Sequence, residues 1–93
     1  MAITILIPTP LRQFTGNKDA VTADGATVGE ILKDLCVKHP PLQKHLFADN
    51  GVLRSFVNVY VNDEDIRYLQ KEKTPVTQTD TVSIIPSIAG GRN

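Results

Sequence analysis

The chain has 93 residues, of which 41% are hydrophobic, so it has enough apolar material for a single compact domain. Ten basic and ten acidic residues cancel, which argues against a nucleic-acid partner, and no apolar run reaches the length of a membrane span. The single cysteine, Cys36, excludes an internal disulfide framework and fits a reducing compartment. We therefore expect a cytoplasmic domain that contacts neither nucleic acid nor a membrane.

The chain begins with a pattern that is typical of a β-hairpin. Residues 2–7 are mostly β-branched and end at Pro8, which predicts a central strand with two apolar faces. Residues 19–23 predict a weaker second strand, which ends at the turn signal Asp24-Gly25. A rather long loop joins these two strands.

A helix is predicted to begin after Thr27. The sequence from Thr27 to Glu30 is a capping box, in which Thr27 accepts from the N–H of Glu30 and the Glu30 carboxylate reaches back. The apolar stripe of this helix consists of Val28, Ile31, Leu32, Leu35 and Cys36. Two prolines end the helix at about His39. A second, short helical turn in residues 42–47 is predicted to close one end of the core.

Three further strands complete the predicted sheet. Residues 55–62 give the strongest strand pattern, because valines alternate with larger or polar residues. A tight acidic turn follows, and residues 66–69 are predicted to resume as a short edge strand. The last strand covers residues 82–86 and stops at Pro86, since proline has no N–H to donate to a sheet ladder.

This order of elements predicts an α+β roll, in which one main helix packs on one face of a mixed sheet of four to five strands. The residues expected to face the helix are Ile3, Ile5, Ile7, Val57, Val59, Val61, Val82 and Ile84. The residues expected on the opposite, outer face are Leu6, Phe56, Tyr60 and Ile85. We predict that this outer face docks a partner; the alternative is that residues 11–16 or 42–47 fold over it.

The domain is expected to span residues 1–86, with a short tail in residues 87–93. The tail consists of Ser87, Ile88, Ala89, Gly90 and Gly91, followed by Arg92 and Asn93. Glycines accept almost any backbone angles and have no side chains to obstruct a narrow channel, so they suit a chain end that enters another protein's active site. An ordinary frayed terminus shows the same pattern.

The element order, with a diglycine after the last strand, resembles the ubiquitin-like β-grasp fold. More narrowly, the chain is similar to the MoaD/ThiS family, the bacterial sulfur carriers related to the small subunit of molybdopterin synthase and to the thiamine sulfur carrier. The resemblance covers nearly the whole chain and is carried by residues 7–12, 26–30, 56–67 and 85–91. The last two stretches most resemble the branch that supplies sulfur for cysteine biosynthesis.

The resemblance implies a protein cosubstrate that performs no catalysis and binds no cofactor of its own. An E1-like adenylyltransferase would use ATP and magnesium to adenylate Gly91, and sulfide equivalents would displace AMP to leave a C-terminal thiocarboxylate. In the cysteine branch, a cysteine synthase that contains pyridoxal phosphate would accept the sulfur, and a zinc peptidase of the JAMM type would release the product. The diglycine, Gly90 and Gly91, would be the sulfur-carrying terminus.

Arg92 and Asn93 depart from the family pattern, because the chemistry requires a chain that ends at Gly91. We expect a precursor from which a peptidase removes these two residues. The alternative is that they are remnants of cloning.

Three other functions compete with sulfur delivery to cysteine. The first is the small subunit of molybdopterin synthase, which inserts the same kind of tail into a large catalytic subunit. The second is a ubiquitin-like protein modifier, joined through Gly91 to lysines on its targets. The third is a plain interaction module with an inert tail.

The remaining reactive side chains are expected to be structural. Cys36 lies on the apolar stripe of the helix, where a buried thiol is favoured over a persulfide carrier. His39 and His45 are too few for a metal site, so none is expected.

Charged side chains near the third strand leave two interpretations open. The carboxylates of Asp63, Glu64 and Asp65 could form a cation site, but we expect them to solvate the hairpin tip. Arg12 and Arg67 suit docking to an acidic partner and surface solubility equally well.

Overall fold

A computed structural model describes residues 2–86, and it begins with the predicted hairpin. Strand β1 (Ala2–Leu6) pairs antiparallel with β2 (Ala20–Asp24), with Ile5 opposite Val21. The loop between them contains a 3₁₀ helix, Thr9–Phe14, whose Leu11 side chain is buried in the core. Both predicted strands are therefore confirmed within one residue at each end.

Helix α1 (Val28–Lys38) is capped at its start by Thr27, as predicted. The Thr27 hydroxyl oxygen accepts from the N–H of Glu30 at 3.3 Å, and the Glu30 carboxylate accepts from the N–H of Ala26 at 2.8 Å. The carboxylate thus reaches one residue beyond the cap and fastens the incoming chain to the first turn. At the other end, the N–H of His39 donates to the carbonyl of Leu35 at 2.8 Å.

The predicted second helical turn is also present. A 3₁₀ turn, Pro40–Leu42, continues into the short helix α2 (Gln43–Leu46). Leu42 and Leu46 are fully buried and Phe47 is nearly so, which closes one end of the core as expected.

The sheet has five strands in the order β2-β1-β5-β3-β4. Strands β3 (Val57–Val61), β4 (Glu64–Asp65) and β5 (Thr81–Pro86) follow α2 in the chain. Strand β5 pairs parallel with β1 on one side and antiparallel with β3 on the other. The sheet is therefore mixed, as predicted, and its last strand occupies the central position.

The prediction of an edge strand at residues 66–69 is wrong. The edge strand is β4, which comes earlier, and Ile66–Tyr68 is a 3₁₀ turn. The Asp65 carboxylate caps this turn by accepting from the N–H of Arg67 at 2.9 Å. The Ile66 side chain lies in the core, where it is 3% exposed.

The hydrophobic core lies between α1 and one face of the sheet. All five residues of the predicted α1 stripe are buried. The buried sheet residues include every one that was predicted to face the helix: Ile3, Ile5, Ile7, Val57, Val59, Val61, Val82 and Ile84. Burial of so many aliphatic side chains is the main source of stability in a domain of this size.

The Thr27 cap gives a direct test of how α1 begins. Because Thr27→Ala leaves the Glu30 N–H without its acceptor, we expect it to lower the free energy of unfolding by about 1 kcal/mol. Thr27→Ser keeps the hydroxyl oxygen and should unfold at nearly the wild-type urea concentration. Equal urea midpoints for the alanine and serine variants would show that the cap contributes nothing.

Candidate docking face and carrier terminus

Strand β5 carries the root of the predicted tail. It ends at Pro86, as predicted, and Pro86 lies opposite Val57 at the start of β3. The tail residues Ser87, Ile88, Ala89, Gly90, Gly91, Arg92 and Asn93 lie outside the described residues. Pro86, the last described residue of the central strand, is therefore the point from which the predicted tail would continue.

The sheet register places the predicted docking residues on one outer face. Leu6 lies opposite Ser83, Ser83 lies opposite Tyr60, and the neighbouring row pairs Asn58 with Ile85. Phe56 precedes β3 at the position that alternation assigns to the same face. Leu6 is 42% exposed, Ile85 is 50% exposed and Tyr60 is half-buried.

Neither segment that could have covered this outer face does so within residues 2–86. Leu11 of the β1–β2 loop and Leu42 of the second helical turn are both part of the core on the helix side. Leu6, Phe56 and Ile85 accordingly stay exposed. The outer face is an apolar surface beside the root of the tail, and its role in docking remains a prediction.

Arg67 has an internal partner that the sequence analysis missed. Its Nη2 donates to Asp65 Oδ2 at 2.8 Å and also to Asn58 Oδ1, and its Nε contacts both Asp65 oxygens. Arg67 therefore joins β3 to β4 through Asn58 and Asp65, while its side chain stays 57% exposed. The spacing of an acid two residues before an arginine, next to a polar residue in an aliphatic strand, is the signal that could have revealed this contact.

The acidic turn also differs from its prediction at one position. Asp63 and Glu64 are exposed at the hairpin tip, as expected, but Asp65 is buried. Hydrogen bonds from the Arg67 side chain, and then from the Arg67 N–H, hold the pKa of Asp65 below its ordinary value. Among residues 2–86, no three His, Cys, Asp or Glu side chains are grouped closely enough to hold a metal ion.

Cys36 and the histidines occupy structural positions. Burial raises the pKa of Cys36 to about 11, so its thiol stays protonated at neutral pH and is a poor nucleophile. His39 ends α1, and His45 stacks on Phe14 with ring centres 4.5 Å apart. None of the helices in the described part of the chain is long and apolar enough to cross a membrane.

The Asp65–Arg67 contact predicts a pH-dependent contribution to stability. Because the pKa of Asp65 is lowered in the folded state, this contribution is complete above its unfolded pKa and is lost as the pH falls through the folded value. We expect Asp65→Asn to unfold at a lower urea concentration than wild type at pH 7. The difference should shrink below a pH of about 4 and disappear in stronger acid.

The matched control is Asp63→Asn, which changes an exposed carboxylate in the neighbouring turn. Asp63 has a φ of 75°, which asparagine tolerates, so this variant should match wild type at both pH values. A loss of stability in Asp65→Asn that stayed constant with pH would contradict an ionic contribution.

The sequence profile of the ThiS family matches residues 5–91. The sulfur carrier protein CysO of Mycobacterium tuberculosis is 40% identical over 93 residues, which cover 98% of this chain and all of that protein. Small archaeal modifier protein 3 of Haloferax volcanii is 35% identical over 82 residues, which cover 86% of this chain and 88% of the modifier.

Solved structures agree with this assignment. In the crystal structure of the Amycolatopsis orientalis BexX/CysO complex, a chain that is 43% identical superposes with a TM-score of 0.86. The match covers 97% of this chain and 100% of that one. The predicted ubiquitin-like β-grasp fold is therefore confirmed, and the chain belongs to the ThiS family of sulfur carrier proteins.

Proposed function

We propose that the protein carries sulfur as a thiocarboxylate on Gly91 and delivers it for the synthesis of cysteine. The observation that carries this proposal is where the family match ends. It stops at Gly91, a few residues beyond the point where β5 ends at Pro86. A diglycine a few residues beyond a strand whose outer face is exposed and apolar suits a terminus that one partner activates and another consumes.

The chemistry explains why an activating partner is needed. A carboxylate is a poor acyl donor, because its leaving group would be an oxide. In the proposed reaction, the Gly91 carboxylate attacks the α-phosphorus of magnesium-bound ATP and pyrophosphate leaves. Hydrosulfide then attacks the carbonyl carbon of the acyl-adenylate, the bond to the phosphate oxygen breaks, and AMP leaves. The thiocarboxylate that remains carries sulfur to a cysteine synthase.

This chain supplies recognition in these steps, and its partners supply the catalytic groups. The E1-like adenylyltransferase would hold ATP and magnesium, and the cysteine synthase would hold pyridoxal phosphate. The only thiol of the chain, Cys36, is buried with a raised pKa and is unsuited to accept sulfur. That leaves Gly91 as the sulfur carrier in this proposal.

Removal of Arg92 and Asn93 is part of the proposed pathway. An adenylate on Asn93 would place the sulfur two residues beyond the diglycine. A peptidase of the zinc JAMM type therefore has to cut after Gly91 before activation. The end of the family match at Gly91 supports this boundary.

The test is the intact mass of the protein isolated from its own cells. We expect loss of Arg92 and Asn93, with a fraction of the chains heavier by the replacement of one oxygen by sulfur. Chains that keep Asn93 under all growth conditions would contradict both the precursor and the carrier.

An assay in vitro separates trimming from activation. The full-length chain and a chain that ends at Gly91 are each mixed with the activating enzyme, ATP and magnesium, and pyrophosphate release is measured. Pyrophosphate should be released from ATP only in the mixture that contains the trimmed chain. An equal amount of pyrophosphate with the full-length chain would show that trimming is not required.

A second function, protein modification, is favoured by one comparison. The similarity to small archaeal modifier protein 3 extends over most of both chains. The same Gly91 acyl group could be transferred to a lysine amine on a target protein. Isopeptide-linked adducts in the cell, without any thiocarboxylate form, would make modification the better assignment.

The outer face is the proposed docking surface for the activating enzyme. Leu6, Tyr60 and Ile85 share this face, and Ile85 is next to the tail root. Their side chains are exposed or half-exposed, so they can be buried against a partner without unfolding the domain.

We expect Tyr60→Asp to raise the KM for adenylation by about tenfold or more, because it places a charge on the surface that would be buried against the partner. Phe56→Asp should act in the same direction. The matched control is Tyr68→Asp, at an 88% exposed tyrosine in the turn beyond β4, which should change KM little. Unfolding of Tyr60→Asp, detected by circular dichroism, would instead identify Tyr60 as a core residue.

A further inference from the structure

Some of the charged residues of this net-neutral chain are sorted between the two ends of the sheet. The turns at the end away from the tail carry acidic side chains: Asp24, Asp63, Glu64 and Asp80. At the end where β5 stops, Asp19 is accompanied by the basic residues Arg12, Lys18, Lys44 and Arg54. The last described residue of β5, Pro86, therefore lies at the end of the sheet that carries these basic residues.

Arg12 and Arg54 lie on opposite sides of the strand that carries the tail. Arg12 follows β1, and its Nε donates to the carbonyl oxygen of Ile7 at 3.0 Å. Arg54 precedes β3, and its Nε donates to the carbonyl oxygen of Lys44 at 2.9 Å. Strand β5 lies between β1 and β3, so the two arginines are held on either side of β5, at the end of the sheet where it reaches Pro86.

Both guanidinium groups are held in place through Nε. Each arginine is half-buried, and the guanidinium of Arg54 also lies over the Phe56 ring, with its central carbon 6.0 Å from the ring centre. A bond from Nε to a main-chain carbonyl leaves both terminal nitrogens able to donate to an external acceptor. A guanidinium that is fixed in this way loses less side-chain entropy when it binds a carboxylate.

Neither arginine has a carboxylate partner within the part of the chain that the structure describes. The ion pairs found among residues 2–86 join Lys38 to Asp24 and Asp34, and Arg67 to Asp65. Arg67 is thus neutralised within the fold, and Arg12 and Arg54 are not. Paired guanidinium groups suit carboxylate or phosphate oxygens, and the apolar outer face beside them favours a protein surface.

We propose that Arg12 and Arg54 are recognition residues, which bind two carboxylates on either side of the partner's tail entrance. The identity of that partner, the activating enzyme, rests on the proposed function, but the recognition of carboxylates does not. The two contacts orient the tail root at the entrance. They take no part in the reaction at Gly91.

The first experiment uses hexaglutamate as the probe and the full-length, ¹⁵N-labelled chain at low ionic strength. We expect the Nε–Hε resonances of Arg12 and Arg54 to shift together with the amides around Pro86, and added salt to weaken binding. The double variant Arg12→Gln/Arg54→Gln should bind about tenfold more weakly. Arg12→Lys/Arg54→Lys, which keeps the charges but loses the planar fork, should fall between this variant and wild type.

The matched control is Lys33→Gln/Lys73→Gln, which removes the same total charge from exposed positions away from the tail root. It should bind hexaglutamate within about twofold of the wild type. An equal loss of affinity in the control and the arginine variant would overturn the proposal, because net charge alone would then explain binding. Shifts confined to other surfaces would overturn it as well.

The second experiment measures adenylation of the trimmed chain by the activating enzyme. We expect the glutamine double variant to raise KM about tenfold and to leave kcat unchanged, because the arginines act only in association. An unchanged KM would overturn the placement of the carboxylates at the tail entrance. Failure of the wild-type chain to be adenylated at all would contradict the proposed function and leave the hexaglutamate result standing.

Discussion

The central position of β5 is the constraint on which the rest of the structure depends. The last strand of the chain lies between β1 and β3 and pairs with both. Without β5, the β1–β2 hairpin and the β3–β4 pair would not be joined into one sheet. Val82 and Ile84 face the core from this strand, and Ile85 faces outward beside the tail root. The strand that completes the fold is therefore the strand that leads into the proposed functional terminus, and its last described residue, Pro86, is still paired with β3.

This arrangement separates the stability of the domain from the exposure of its terminus. The helix-facing side of β5 is buried under α1, which anchors the strand. Pro86, which has no N–H to donate, lies opposite Val57, the first residue of β3. The proposed carrier would need both properties, because its terminus would enter a partner's active site while the body stays folded for recognition.

Most of the fold could be predicted because its local and long-range signals agree. The capping box at Thr27 marks the start of α1, and the alternating valines of β3 mark one buried face without ambiguity. The error at residues 66–69 has a physical cause. Ile66, Tyr68 and Leu69 have the composition of a strand, but the Asp65 carboxylate offers the backbone a competing hydrogen bond that starts a turn.

The site was harder to predict than the fold, because charge contacts depend on which residues the sheet register brings together. From the sequence, Arg67 and Arg12 have the same two interpretations. In the structure, Arg67 donates to Asp65 and Asn58, whereas Arg12 donates through Nε to the main-chain carbonyl of Ile7. No sequence pattern singles out Arg54. Its proposed recognition role depends on the pairing of Val57 with Pro86, which brings the start of β3 beside the end of β5.

The zero net charge of the chain does not reveal how its charged residues are distributed over the sheet. Balanced composition predicts no strong overall field, but the topology places acidic turns at one end of the sheet and two arginines without a carboxylate partner among residues 2–86 at the other. Interactions of this kind are screened within about 8–10 Å at physiological ionic strength, so they act only between surfaces already close together. In the proposed recognition, such a local field would orient the tail root at a partner's entrance without giving the whole molecule a general affinity for acidic surfaces. The proposal therefore rests on the position of a few fixed charges relative to β5, which composition cannot reveal.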